Sequence, residues 1–345
     1  MGTRASWAVV SASLWLAVCG CKPEAPPVSA PERAGAEPTG IGPVVIVEAP
    51  TVPLGCQATT PIGGALLIPE AAQWLVRISP AQLMHSAFWS ALGSEVESGE
   101  LSELFAGLRE CGLEPASFQD VLIGFESENE NYVMVVQGPG VGQSDLATCA
   151  VQVMRRQLPG EKTMEVEASL SPGAFGGPPM IPFDNGVAYL ISPDELVFAS
   201  LAWQYEVGQL AQCMGQPALE SSAIASLAPL ISRVDTRADL WMIGHVPPSL
   251  ASIFLMFGGP SQGPSDVAMT VDFSSGFGFD MSLTLDSAAT AEQARTALQT
   301  SLDQLAANGN SELERFLAGV SLEASGPRLL LHGWISAERL PSLLP

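Results

Sequence analysis

Three histidines, His85, His245 and His332, are the chain's complete supply of imidazoles, and they lie far apart in sequence. A Ser/His/Asp triad does not need neighbours in sequence, so its geometry stays open here. The G-x-S-x-G turn that exposes a nucleophilic serine in many hydrolases is absent. No cysteines form a C-x-x-C pair, and with the histidines dispersed the spacing of a zinc site is missing. Gly138-Pro139-Gly140-Val141-Gly142 has the flavour of a phosphate-cradling loop, but its third glycine comes one residue early. The strand before it also belongs to a hairpin pattern rather than a parallel strand–helix–strand unit, so it reads as a strand-to-helix turn. Glu126, Glu128 and Glu130 lack the glycine and spacing of a calcium loop and read as a solvated hairpin tip. Glu95, Glu97, Glu100 and Glu103 read as the acidic start of a helix, where carboxylates favour the dipole. No catalytic, cofactor or metal-ligand residue is assigned, and the sequence reads as a non-enzyme.

Composition narrows the class. The formal charge of −22 comes with scarce bases, since Lys22 and Lys162 are the only lysines. Nucleic-acid affinity is drawn from Lys and Arg on phosphates, so that class is excluded. Hydrophobic residues make up 47% of the 345 residues, ample for a large core.

The first 22 residues carry the chain's clearest signal. Arg4 precedes an uncharged, largely apolar run from Ala5 to Val18, the build of a secretory signal peptide rather than of a span of about 20 residues. The ending Val18-Cys19-Gly20-Cys21 resembles a bacterial lipobox, with an aliphatic residue three before, and a small residue one before, the modified cysteine. That resemblance implies cleavage after residue 20, a thioether-linked diacylglycerol on Cys21 and an acyl group on its new amino terminus, and two or more such chains anchor a protein stably. Lys22 follows where aspartate would retain a lipoprotein at the inner membrane, so the expected address is the outer membrane, facing the periplasm or the cell surface.

Exported proteins permit disulfides, and four further cysteines, Cys56, Cys111, Cys149 and Cys213, make an even set with three possible connectivities. The preferred pairing is Cys149 with Cys213 and Cys56 with Cys111.

Residues 1–20 are thus expected to be signal peptide and 21–55 a tether. Eight prolines at 23–53 stiffen that segment, which at about 3 Å per residue would reach roughly 100 Å. Beyond it the chain looks duplicated: a first α+β repeat at 56–202, a helical bridge at 203–237 and a second repeat at 238–345. Trp74-Leu75-Val76 matches Trp241-Met242-Ile243, Asp120-Val121 matches Asp266-Val267, and Asp145 with Ala150 matches Glu292 with Ala297. Val166–Ser169 matches Leu322–Ser325, and Ile191-Ser192 matches Ile335-Ser336.

Alternation predicts strands at 73–79, 120–126, 132–137, 163–169, 186–191 and 195–200 in the first copy. The second should carry them at 239–246, 267–274, 277–286, 319–325 and 328–335. Helices are predicted at 80–91, 98–111, 143–156, 248–257, 290–307 and 311–318. The expected fold is therefore α+β: two tandem ferredoxin-like repeats (βαββαβ plus an extra strand) with antiparallel sheets. The repeat resembles a loose group of bacterial envelope proteins with no assigned activity, and so transfers no site residues.

Apolar side chains on glycine- and proline-rich stretches suggest a partner surface at Phe175, Met180, Ile181 and Phe183 in the loop 171–185, and another at 253–260. Function is accordingly expected to be non-catalytic: an interaction or scaffold module with an envelope protein partner. The alternative is a carrier or chaperone for a hydrophobic ligand in the periplasm, and a hydrolase with an unrecognised site comes third.

Overall fold

The computed structural model describes residues 64–343 except 99–101, 128, 130, 158–169, 174–176, 184, 213–221, 248–262, 309–315 and 317–318. The signal peptide, Cys21, the tether, Cys56 and Cys213 lie outside the described residues. So do Phe175, the strand expected at 163–169 and the helix expected at 248–257.

Eleven strands form one antiparallel sheet. In chain order they are β1 (Trp74–Ile78), β2 (Asp120–Glu126), β3 (Asn131–Gln137), β4 (Met180–Phe183), β5 (Gly186–Ser192) and β6 (Glu195–Ser200). They continue as β7 (Leu240–His245), β8 (Asp266–Asp272), β9 (Gly276–Thr284), β10 (Ser321–Ser325) and β11 (Arg328–Ser336). Across the sheet the order is β10-β11-β9-β8-β7-β1-β2-β3-β6-β5-β4. The described helices are α1 (Pro80–Met84), α2 (Ala87–Ser98), α3 (Ser102–Glu110), α4 (Ser144–Gln157), α5 (Gln204–Ala211), α6 (Ala223–Ile231) and α7 (Ala288–Asn308).

The fold is mixed α+β with antiparallel strands, but the expected separate sheets are merged. β1 and β7 join the halves along a five-residue ladder from Trp74 opposite Gly244 to Ile78 opposite Leu240. Gly244 fits this seam because a Cβ there would lie 2.3 Å from the Trp74 ring. Within each half the first three strands form a meander, a helix follows, and a hairpin returns its second strand to the third. β1 pairs with β2 and not with β3, which differs from the interleaved ferredoxin-like order, where the first strand lies beside the third.

The ladders also correct the tryptophan match. If Val121 and Val267 are paired as the sequence comparison expects, Ile78 lies opposite the first and Gly244 opposite the second. Ile78 therefore aligns with Gly244, which places Leu75 opposite in role to Trp241 rather than Trp74. A one-residue slip exchanges the faces of a strand. Trp74 packs with Met242, Val267 and Ala291 on one face, whereas Trp241 packs with Leu75, Val135 and Leu227 on the other. The Ile191/Ile335 match slips by a strand, since Ile191 is in β5 and Ile335 in β11, the partner of β9.

The first face is covered along its length. Helix α4 lies over Val136, Ala188, Leu196 and Phe198, and α7 over Leu283 and Leu329. Phe88 of α2 and Leu83 of α1 pack on Val271 and Phe273. The expected helix 80–91 is split at His85-Ser86, because Ser86 Oγ accepts the Trp89 N–H at 3.1 Å and starts a new helix. The other face is covered over the β1–β6 half by residues 65–68, α5 and α6, packed on Leu75, Val133, Val135, Val197 and Ala199. Helices α5 and α6 lie within 203–237, the range expected to be helical. Gly124 admits this cover, since a Cβ would meet Ile68 at 2.2 Å.

Candidate functional site

Helix α6 reaches across this second face to β7 and β8, where Trp241, Ile243 and Ala268 are buried; over β9, β11 and β10 the face carries no described helix, and its composition changes accordingly. Gly124 lies opposite Val133 and Val133 opposite Ala199; in the other half the same ladder positions are Thr270, Asp280 and His332. Val133 and Ala199 are fully buried, while Asp280 and His332 are exposed. A polar, solvated face is what an antiparallel sheet without a second cover requires.

This open face holds a shallow cleft of about 160 Å³, whose lining includes Thr270, Asp272, Phe279, Asp280, His332 and Trp334. Three adjacent strands supply it. Trp334 lies opposite Gly278 in the β9–β11 ladder, and its ring passes 3.1 Å from where a Gly278 Cβ would sit. Gly278 thus leaves room for the indole to lie across the strand. Trp334 is 56% exposed, unusual for a ring of this size on a rigid strand.

Hydrogen bonds orient the polar members. The His332 Nδ1–H donates to Asp280 Oδ1 at 2.8 Å. Asp272 Oδ1 accepts the Ser274 N–H at 2.7 Å in the β8–β9 turn. Thr270 Oγ1 accepts the Asp235 N–H at 3.3 Å. Each carboxylate therefore has one oxygen engaged within the fold. At the rim Asp235 pairs with Arg237 at 3.3 Å, and hydrogen bonds from Arg237 hold its carboxyl below the usual range.

The histidines do not assemble a triad among the described residues. A catalytic imidazole stands between hydroxyl and carboxylate. Around His245 the carboxylate is central instead: Asp266 accepts from His245 at 2.6 Å and from Ser265 Oγ at 2.9 Å. His85 bonds the Ala81 carbonyl at 2.6 Å within its own helix turn. No group of three or more His, Cys, Asp or Glu side chains is placed to hold a metal among the described residues.

Other expected sites are placed differently. Gly138–Gly142 is the turn into α4, where Asp194 Oδ1 accepts the Gly140 N–H at 2.8 Å. Glu126 accepts from Asn129 and Asn131 across the hairpin tip. Loop 171–185 contributes the edge strand β4: Ile181 is fully buried, Phe183 packs on Phe198 at 6.0 Å, and Met180 is half-buried. Ile181 is therefore core rather than partner surface. The disulfide joins Cys111, just after α3, to Cys149 in α4, replacing both preferred pairings. Loop closure between helices packed side by side explains it, whereas the sequence offered no way to see that α3 lies on α4.

Beneath the covered half, Arg77 and Asp120 form a partly buried ion pair, and Arg77 also donates to the Thr236 and Ala238 carbonyls at 3.1 and 2.9 Å. Burial raises the Asp120 carboxyl while Arg77 opposes the shift. This network locks β1 and β2 to the segment entering β7.

No family model and no curated protein matches the chain. Solved structures similar to it include crystal forms III, I and IV of TP0453, at 10%, 9% and 9% identity. Their TM-scores are 0.47, 0.44 and 0.43, with 81% of this chain covered in each case and 96%, 96% and 95% of those chains.

Proposed function

We propose that this chain is a lipid-anchored protein of the bacterial envelope that acts by binding, not catalysis, through the open half of its sheet. The observation that carries the reading is the Trp334 cleft. One half of the sheet buries its second face, whereas the other presents an aromatic ring and oriented polar groups to solvent. The lipobox places the acyl chains on Cys21, and the tether 21–55 gives the body reach from the outer membrane toward a partner. Its division into halves at 56–202 and 238–345, with the bridge 203–237 between, is read as an ancient duplication. The shared meander–helix–hairpin order supports that origin. Among the described residues the second copy's outer strands β9, β11 and β10 lack the second cover that the first copy has, which leaves their face for recognition.

Two variants test the reading in cells. Cys21→Ala should abolish incorporation of labelled fatty acid and release the protein from membranes. Trp334→Ala should remain lipidated and folded, yet lose whatever phenotype distinguishes the wild type from a deletion strain. Retained labelling of Cys21→Ala would refute the anchor, and full activity of Trp334→Ala would refute the binding face.

A further inference from the structure

We propose that the Trp334 cleft takes a cationic side chain of a partner protein, an arginine guanidinium stacked on the indole and held by Asp280 and Asp272. This deepens the binding reading above and rests on it. The indole face attracts cations through its quadrupole, and guanidinium groups stack on such faces more readily than ammonium groups. Two carboxylates line the same cleft, each with one oxygen fixed by an internal donor, His332 for Asp280 and the Ser274 N–H for Asp272. That leaves each group a second oxygen at a set orientation, suited to a planar fork of N–H donors.

Charge selects the occupant. The lining contains no lysine or arginine, and the chain as a whole carries −22, so an anion is repelled. A neutral ring laid over Trp334 would take water from two carboxylates and give them no counter-charge, which is costly. A cation meets that demand and gains the ring as well. Arg237 at the rim is engaged with Asp235, and Arg233 Nη1 with Thr284 Oγ1 at 2.7 Å; Arg328, opposite Thr284, stands four residues along β11 from His332. A basic partner segment would also be steered toward so acidic a protein, at a rate that falls with salt.

The test uses the full chain in mild detergent with 5-fluorotryptophan at every tryptophan, the Trp334 resonance being identified by its loss in Trp334→Phe. N-acetyl-arginine amide, N-acetyl-lysine amide and diacetylchitobiose are titrated separately. The arginine probe should move the Trp334 resonance saturably, several-fold more tightly than the lysine probe, and weaken several-fold between low and high salt. Asp280→Asn, at an exposed position where folding is not at stake, should weaken it about two- to fivefold. Asp272→Asn, which keeps an oxygen for the Ser274 N–H, should do the same. Binding of the saccharide without the arginine probe would overturn the proposal while leaving the face a binding surface. Silence toward all three probes, or Asp280→Asn and Asp272→Asn binding as the parent does, would also overturn it.

Discussion

Replacing Cys111 and Cys149 together by alanine tests how α3 is held to the body. No described side chain of α3 is fully buried, and Leu104 and Leu108 only lean on the core beside α4. The bond spans 38 residues. On a loop-entropy model, closing a loop of that length is worth about 4 kcal/mol, and removal of native disulfides typically costs about 2–5 kcal/mol. We therefore expect a loss of about 2–4 kcal/mol in reversible urea unfolding, and a fall in Tm of roughly 3–7 °C for a body of this size. Amide exchange sharpens the expectation, because the loss should be uneven. Protection should collapse first in 102–110 and the facing turns of α4, while β7 and β8 keep theirs. Peptide mapping of the unreduced chain supplies the covalent check. A loss below about 0.5 kcal/mol, or a Cys149–Cys213 peptide, would refute the reasoning.

Other expectations follow from the seam and from charge. Gly244→Ala places a methyl 2.3 Å from the Trp74 ring and 2.9 Å from the Gln73 carbonyl, so it should destabilise by about 1–3 kcal/mol through overpacking; unchanged urea stability would contradict the close fit at the β1–β7 ladder. The Glu206 carboxyl is raised first by burial and then by Glu70. A raised folded-state pKa means stability that is present below the unfolded pKa and lost as pH rises through the folded value. Glu206→Gln should therefore raise stability at pH 7, by at most about 0.5 kcal/mol at this half-buried, solvent-screened site, and leave it unchanged near pH 3. Calorimetry showing the gain at low pH instead would reverse the argument.

Much of the fold was legible in the sequence. The strands at 120–126 and 195–200 are read to the residue as short apolar runs bounded by polar turns, and β8–β9 nearly so, because one face is more apolar than the other. What fails where both faces are buried is the matching of one strand to another. Trp74-Leu75-Val76 and Trp241-Met242-Ile243 are apolar throughout, so their pattern has no parity to align, and the match slipped onto the wrong face. Strand β4 was hidden by Pro182, which a central strand excludes but an edge strand tolerates. The break at Ser86 did have a signal, a serine three residues before Trp89, that a longer apolar periodicity masked.

The cleft was harder to see. Its residues come from β8, β9 and β11, and they meet only because β9 lies between the other two. One clue was present: Trp334 shares the phase of Arg328 and His332 on β11, an aromatic ring on the polar side of an alternating strand. Such a ring has no core to enter on that side of the strand, and it is exposed.

On the proposed function the open face is covered in the envelope and bare in isolation. Hydroxyl-radical footprinting of Trp334, in intact envelopes and in the purified full chain, measures this directly. Oxidation of Trp334 should fall several-fold in envelopes while that of exposed Tyr205, on the covered half, stays the same. Equal oxidation of Trp334 in both settings would contradict it.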